Sequence, residues 1–161
     1  DLPSAVRQFD YATISDVILH IKYTTGSGSS DALGTCSMMV TLGDDFADEL
    51  QKLRDGDAAT VAISRTLFPY FAQQKSISIT GCEIVLQGDD TLGTSPAILV
   101  QGTSVALITF HDNPLWKMAT WPPSPPPLPS VGGTVTLQAD SSLTAENIRN
   151  AFIVLTYTVT V

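Results

Sequence analysis

The chain has 161 residues, a length suited to one domain with a sizeable core. Eight Lys and Arg against sixteen Asp and Glu leave a formal net charge of -8, yet only 15% of residues are charged and 43% are hydrophobic, which excludes a disordered acidic tail. The basic residues are scattered singly, so the charge balance argues against nucleic-acid or anionic-membrane partners, and no apolar run approaches the roughly 20 residues of a membrane-spanning helix.

The start, Asp1-Leu2-Pro3, carries no initiator Met, basic n-region or apolar h-region and reads as a mature or excised piece. Beyond it, apolar residues recur with period two, the signature of strands. VILHIKYT sets Val17, Leu19, Ile21 and Tyr23 against Ile18, His20 and Lys22, and the Gly and Ser of residues 26–30 predict a flexible loop. TCSMMVTL then places Cys36, Met38, Val40 and Leu42 on one face and Ser37, Met39 and Thr41 on the other. Phe46, Leu50 and Leu53 follow helical spacing, with Asp44 or Asp45 as N-cap, Lys52 and Arg54 in the last turn and Gly56 just beyond.

Further strands are expected over residues 58–63 and 77–86. In the second, Ile77 and Ile79 occupy one phase and Cys82, Ile84 and Leu86 the other, so a bulge at Gly81 is needed to keep all five inward. Residues 97–110 follow, broken near Gln101-Gly102, and then 115–121, 133–139 and 151–161. Between 115–121 and 133–139 lies PPSPPPLPSVGG, which cannot continue a central strand. It is expected as a projecting loop over 122–130, a hairpin tip or crossover inside a single domain 1–161. Residues 144–150 predict one or two helical turns capped by Thr144. The series implies an all-β fold, an antiparallel β-sandwich of about eight strands with one or two short helices. ISDVILHIKYT from Ile14 and IRNAFIVLTYT from Ile148 echo one another, each a turn feeding a core strand whose Tyr points inward; similar packing demands explain this more simply than duplication.

Convergent chemistry is absent from the pattern. His20 and His111 have no metal-ligand spacing; His20 is read as a surface or partner-facing imidazole and His111-Asp112-Asn113-Pro114 as a turn. Cys36 and Cys82 both fall on an inward phase and are read as free thiols in preference to a disulfide, which leaves the redox compartment open. Asp44, Asp45, Asp48, Glu49, Asp55 and Asp57 do not have EF-hand spacing and read as a solvated helix face, while Asp89-Asp90 marks a turn. No G-x-S-x-G elbow occurs, and a hydrolase reading has no residue pair behind it. No catalytic residue, cofactor or metal is therefore expected. Trp116 and Trp121 have opposite parity, so on a regular strand at most one faces the core, although a bulge would admit both. The candidate interaction surface is Phe110, Trp116, Trp121, Pro125 and Leu128.

Three segments carry a resemblance. RQFDYATISDVILHIKYT from Arg7, SRTLFPYFAQQKSISIT from Ser64 and the closing strand from Ile148 to Val161 resemble, in order, the C-terminal TcB-binding domain of the TcA subunit of insecticidal Tc toxins. The resemblance implies a β-sandwich that docks a TcB-like protein component, a non-catalytic assembly module of a secreted or extracellular toxin. It implies no pore formation or direct membrane insertion by these residues, and the Pro-rich loop has no counterpart in the pattern. Self-association as a homo-oligomer is compatible with it. The alternative reading is a secreted carbohydrate-binding sandwich that uses surface aromatics such as Trp116 or Trp121.

Overall fold

The computed structural model describes residues 32–123 and 126–160. The expected strand at 17–24, the Gly-Ser loop and His20 lie outside the described residues, as does Pro125. The expected all-β class is observed: a five-stranded and a four-stranded antiparallel sheet form a β-sandwich, with nine strands among the described residues.

The elements run β1 (Ala32–Thr41), α1 (Leu42–Asp45), α2 (Ala47–Arg54), β2 (Ala59–Ala62), a 3-10 turn (Arg65–Leu67), α3 (Tyr70–Gln73) and β3 (Ser76–Gly88). They continue through β4 (Ala97–Val100), β5 (Thr103–Ala106), β6 (Ile108–Phe110), β7 (Asn113–Thr120), β8 (Thr134–Ala139), a second 3-10 turn (Ala145–Asn147) and β9 (Ile148–Thr160). The larger sheet has the order β1-β9-β3-β7-β6 and the smaller β2-β8-β4-β5. Among the described residues, only β4-β5 and β6-β7 are direct hairpins, and every other pair of consecutive strands lies in different sheets. Both hairpins close on two residues of positive φ, Gln101 (50°) with Gly102 (77°) and His111 (50°) with Asp112 (57°). This is the mirror-image turn that matches strand twist.

Strict alternation in β9 builds the core. Ala151, Ile153, Leu155, Tyr157 and Val159 are all buried, and they meet Val40 of β1, Cys82, Ile84 and Leu86 of β3, and Val61, Ile98, Val100, Val135 and Leu137 from the smaller sheet. Tyr157 lies edge-on to Phe68, with ring centroids 5.1 Å apart. The bulge occurs where expected: Ile79 pairs with Tyr157 and Gly81 with Thr156, leaving Thr80 as the extra residue. A side chain at Gly81 would place its Cβ 3.3 Å from that of Thr156, so the strands reach this spacing because the position carries none.

The helix around Leu50 and Leu53 forms with both residues buried, and Gly56 follows at φ 81°. Its start differs from expectation. Asp44 and Asp45 belong to the preceding turn α1, and Phe46 holds the N-cap position without a side-chain cap. Asp45 instead accepts from the Thr41 amide, while Asn150 caps α1 from β9 by accepting the Gly43 amide at 2.9 Å. Likewise, Thr144 precedes its 3-10 turn but makes no side-chain cap. Glu49 ties α2 to β2 through the Thr60 amide (2.6 Å) and pairs with Lys52 (2.7 Å); these bonds hold its carboxyl below the usual pKa.

Two features were not anticipated. The stretch after Ile63 forms a 3-10 turn and α3, a fold-back that buries Phe68 and Ala72. Residues 97–110 break twice, and at the second break the buried Leu107 donates its amide to Pro96 O and turns the chain from the smaller sheet into the larger. The Pro-rich segment does not project as expected. It is the crossover from β7 to β8, and it folds back so that Pro122 and Pro129 are buried and the Trp121 indole donates to Pro126 O at 3.2 Å. Its prolines cannot donate to a ladder, but the Pro126 carbonyl can accept, and Trp121 lines one cavity with Pro122, Pro123, Pro126 and Pro127. Among the described residues, no helix is long and apolar enough to cross a membrane.

Candidate functional site

The strands of the larger sheet have a second face, turned away from the core. Along one row across the sheet, Thr41 pairs with Phe152, Phe152 with Val85, Val85 with Met118 and Met118 with Ile108, linking all five strands. The neighbouring row adds Met39 opposite Val154. Trp116, also on this face, stacks on Phe152 with ring centroids 5.7 Å apart and an angle of 15°. Val85 is only 5% exposed although it is not part of the core cluster; its cover comes from this outer layer. Met39 and Ile108 are each 60% exposed.

The smaller sheet reads differently. Its outward positions are mostly polar or small, with Thr60, Ala62, Thr134, Thr136, Gln138, Ser104, Ala97 and Ala106, and Leu99 is the one large apolar residue among them. The same architecture thus carries one mostly polar face and one with a band of Met, Val, Phe, Trp and Ile side chains, bordered on the same face by Ser37, Thr156, Ser78 and Thr158. Only Glu83, between Val154 and Thr120, brings a formal charge into the apolar rows. Among the described residues, nothing covers this face.

The candidate surface residues divide into two places. Phe110 and Trp116 come together with His111 and Asn113 around a groove of about 250 Å³ beside the β6-β7 turn. Trp121 and Leu128 lie at the Pro-rich strap, where Trp121 is 7% exposed and belongs to the core cluster; Leu128 is exposed. Trp121 is accordingly a core residue and not a surface aromatic. The parity argument explains the outcome: Trp121 shares the inward phase of the buried Ala119, whereas Trp116 shares the outward phase of Met118. The outer apolar rows were missed because they hide in continuous runs. Ile84-Val85-Leu86 and Phe152-Ile153-Val154-Leu155 alternate between faces with apolar residues on both, and such two-sided runs signal a sheet covered on both sides.

Both cysteines are free. Cys36 pairs with Tyr157 and Cys82 with Leu155, so β9 stands between them; two strand spacings are about 10 Å, beyond disulfide reach. Burial, reinforced by the Glu83 carboxylate, pushes the Cys82 thiol up to about 12. The C36S variant is therefore expected to resist alkylation at pH 8 while folded and to react fully in urea. Rapid labelling of the folded variant would show that Cys82 is not sealed in the core. The raised value also sets a sign: unfolded Cys82 loses its proton at lower pH, so this contribution to stability is complete below pH 9 and is lost as pH rises toward 12.

His111 and Asp112 form the turn as expected, and Asn113 Oδ1 accepts the Leu115 amide at 3.1 Å. Among the described residues, no three His, Cys, Asp or Glu side chains converge as metal ligands. Comparison with family models, curated proteins and solved structures finds no match to this chain.

Proposed function

We propose that this chain is a non-catalytic protein-protein interaction and assembly module, and that it docks its partner through the outer face of the five-stranded sheet. The observation that carries the reading is the contrast between the two outward faces: one mostly polar, the other carrying an apolar band from Met39 of β1 to Ile108 of β6, each 60% exposed. A contiguous apolar face with a polar surround is what protein interfaces use. The resemblance to the TcB-binding domain of Tc toxin A subunits supplies the kind of partner, a TcB-like component in a secreted toxin assembly. Two of the resembling segments pack together here: the segment from Ser64 leads into β3, which pairs with β9, and Phe68 meets Tyr157.

Calorimetry of the purified chain with a TcB-like component tests the proposal. Association at micromolar concentration is expected, weakened at least about tenfold by the M39K and I108K pair, since charges placed at both edges of the apolar band must be desolvated on docking while exposed positions leave the fold intact. No association, or association indifferent to both substitutions, overturns it.

A further inference from the structure

The groove beside the β6-β7 turn has a chemistry of its own. Its lining is Phe110, His111, Asn113 and Trp116: aromatic surface, one amide and one imidazole, with no charged side chain. At about 250 Å³ it is smaller than the pockets that enclose drug-sized molecules and suits a single ring. The turn beside it is the tight two-residue hairpin turn between β6 and β7. His111 and Asp112 both have positive φ, which glycine or asparagine would adopt at lower cost, yet neither stands at these positions. The conformation brings the His111 ring edge-on to Phe110, with centroids 4.3 Å apart. The two-residue turn thus fixes an imidazole and a phenyl ring beside the groove.

We infer that this groove binds a neutral pyranose, stacked on the part of the half-buried Trp116 ring that Phe152 leaves uncovered and hydrogen-bonded at its rim by Asn113 and His111. A sugar ring has an apolar C–H face and a perimeter of hydroxyls, and the groove offers the counterpart of each. An anionic sugar would face a chain of formal net charge -8 with Asp112 in the turn itself, and a cationic ligand would find no carboxylate among the lining residues. A proline ring also stacks on tryptophan but has no hydroxyls for the imidazole and amide to bind. The site borders the docking face and shares Trp116 with it, whereas the docking proposal rests on Met39, Val154, Val85 and Ile108, of which Met39 lies on β1 at the opposite edge of the sheet.

The test is tryptophan fluorescence of the full chain titrated with methyl glycosides of glucose, galactose, mannose and N-acetylglucosamine, with glucuronate and a polyproline peptide alongside. Trp121 is 7% exposed, so Trp116 reports. At least one neutral glycoside is expected to shift the emission with a Kd on the order of millimolar, as a single ring with few contacts allows. N113A, which keeps the fluorophore, is expected to weaken this at least about tenfold. H111G relaxes the turn and should fold at least as well, but loses the imidazole, so it is expected to weaken binding while thermal unfolding shows the fold retained. The inference is overturned if no neutral glycoside acts up to 100-fold above that order of concentration, if both variants bind as tightly as the parent, or if glucuronate or polyproline binds as well as the best glycoside. M39K should leave the sugar response unchanged and impair only protein docking, which keeps the two proposals separable.

Discussion

Replacing Ile153 by Ala is expected to cost about 3–5 kcal/mol of folding stability, a large share of the roughly 5–15 kcal/mol that holds a domain of this size together. Ile153 sits at the middle of β9, fully buried, with Val40 of β1 on one side and Ile84 of β3 on the other. Its neighbours belong to paired strands whose backbones cannot close in, so the lost methylenes leave a cavity. Urea unfolding should show a lower midpoint with an unchanged m-value. The adjacent substitution F152A gives the comparison. Phe152 points to the other side of the same strand and stacks on Trp116, so its loss removes an aromatic pair and half-buried surface and should cost less than half as much. If F152A proves as damaging as I153A, the outer face is a second core and cannot be a free docking surface.

That pair of residues also shows what could be read from the sequence. The strand expected over 151–161 was read with Tyr157 inward, and the same phase carries Ile153 and Leu155 into the core, because one face of a strand must find a core. The phase change between Ile79 and Cys82 located the bulge at Gly81 for the same reason. The other phase of β9 was not legible as a surface. An apolar residue on the outward side of a strand looks the same in sequence whether a second layer, a partner or solvent lies beyond it, and only the pairing of Phe152 with Val85 and of Val85 with Met118 joins those residues into one layer. The short α3 escaped because four residues hold barely one helical turn, too few for a period to register. Proline's missing amide excluded residues 122–130 from a central strand, but nothing in that argument says whether such a segment projects or packs. The decision fell to the Trp121 indole, which is bonded to Pro126 O. The candidate surface was therefore half legible: parity separated Trp116 from Trp121, and the fold decided which of them went inside.

A larger local effect is expected at Gly93. The segments after β3 and after β8 each cross between the sheets, and they run side by side: Thr144 donates to Leu92 O at 3.1 Å, Asn147 Nδ2 to Thr91 O at 2.8 Å, and Ala97 to Ser142 Oγ at 3.0 Å. Leu92, fully buried, anchors the first crossover in the core. At Gly93 the backbone has φ 116°, and a Cβ there would lie 2.4 Å from Ser142 O, a backbone atom that cannot rotate away. G93A thus combines an unfavourable dihedral with a collision that would prise the crossovers apart, and about 3 kcal/mol or more of stability should be lost. Gly132 separates the two causes, since it too has positive φ, 86°, but an added Cβ meets nothing within 4 Å. G132A should cost only the dihedral strain, about 1–2 kcal/mol. Equal midpoints for the two variants in urea would mean that the crossovers yield easily and do not lock the sheets. A markedly lower midpoint for G93A, with amide exchange accelerated across both crossovers, would locate the joint between the sheets at Gly93 and Ser142.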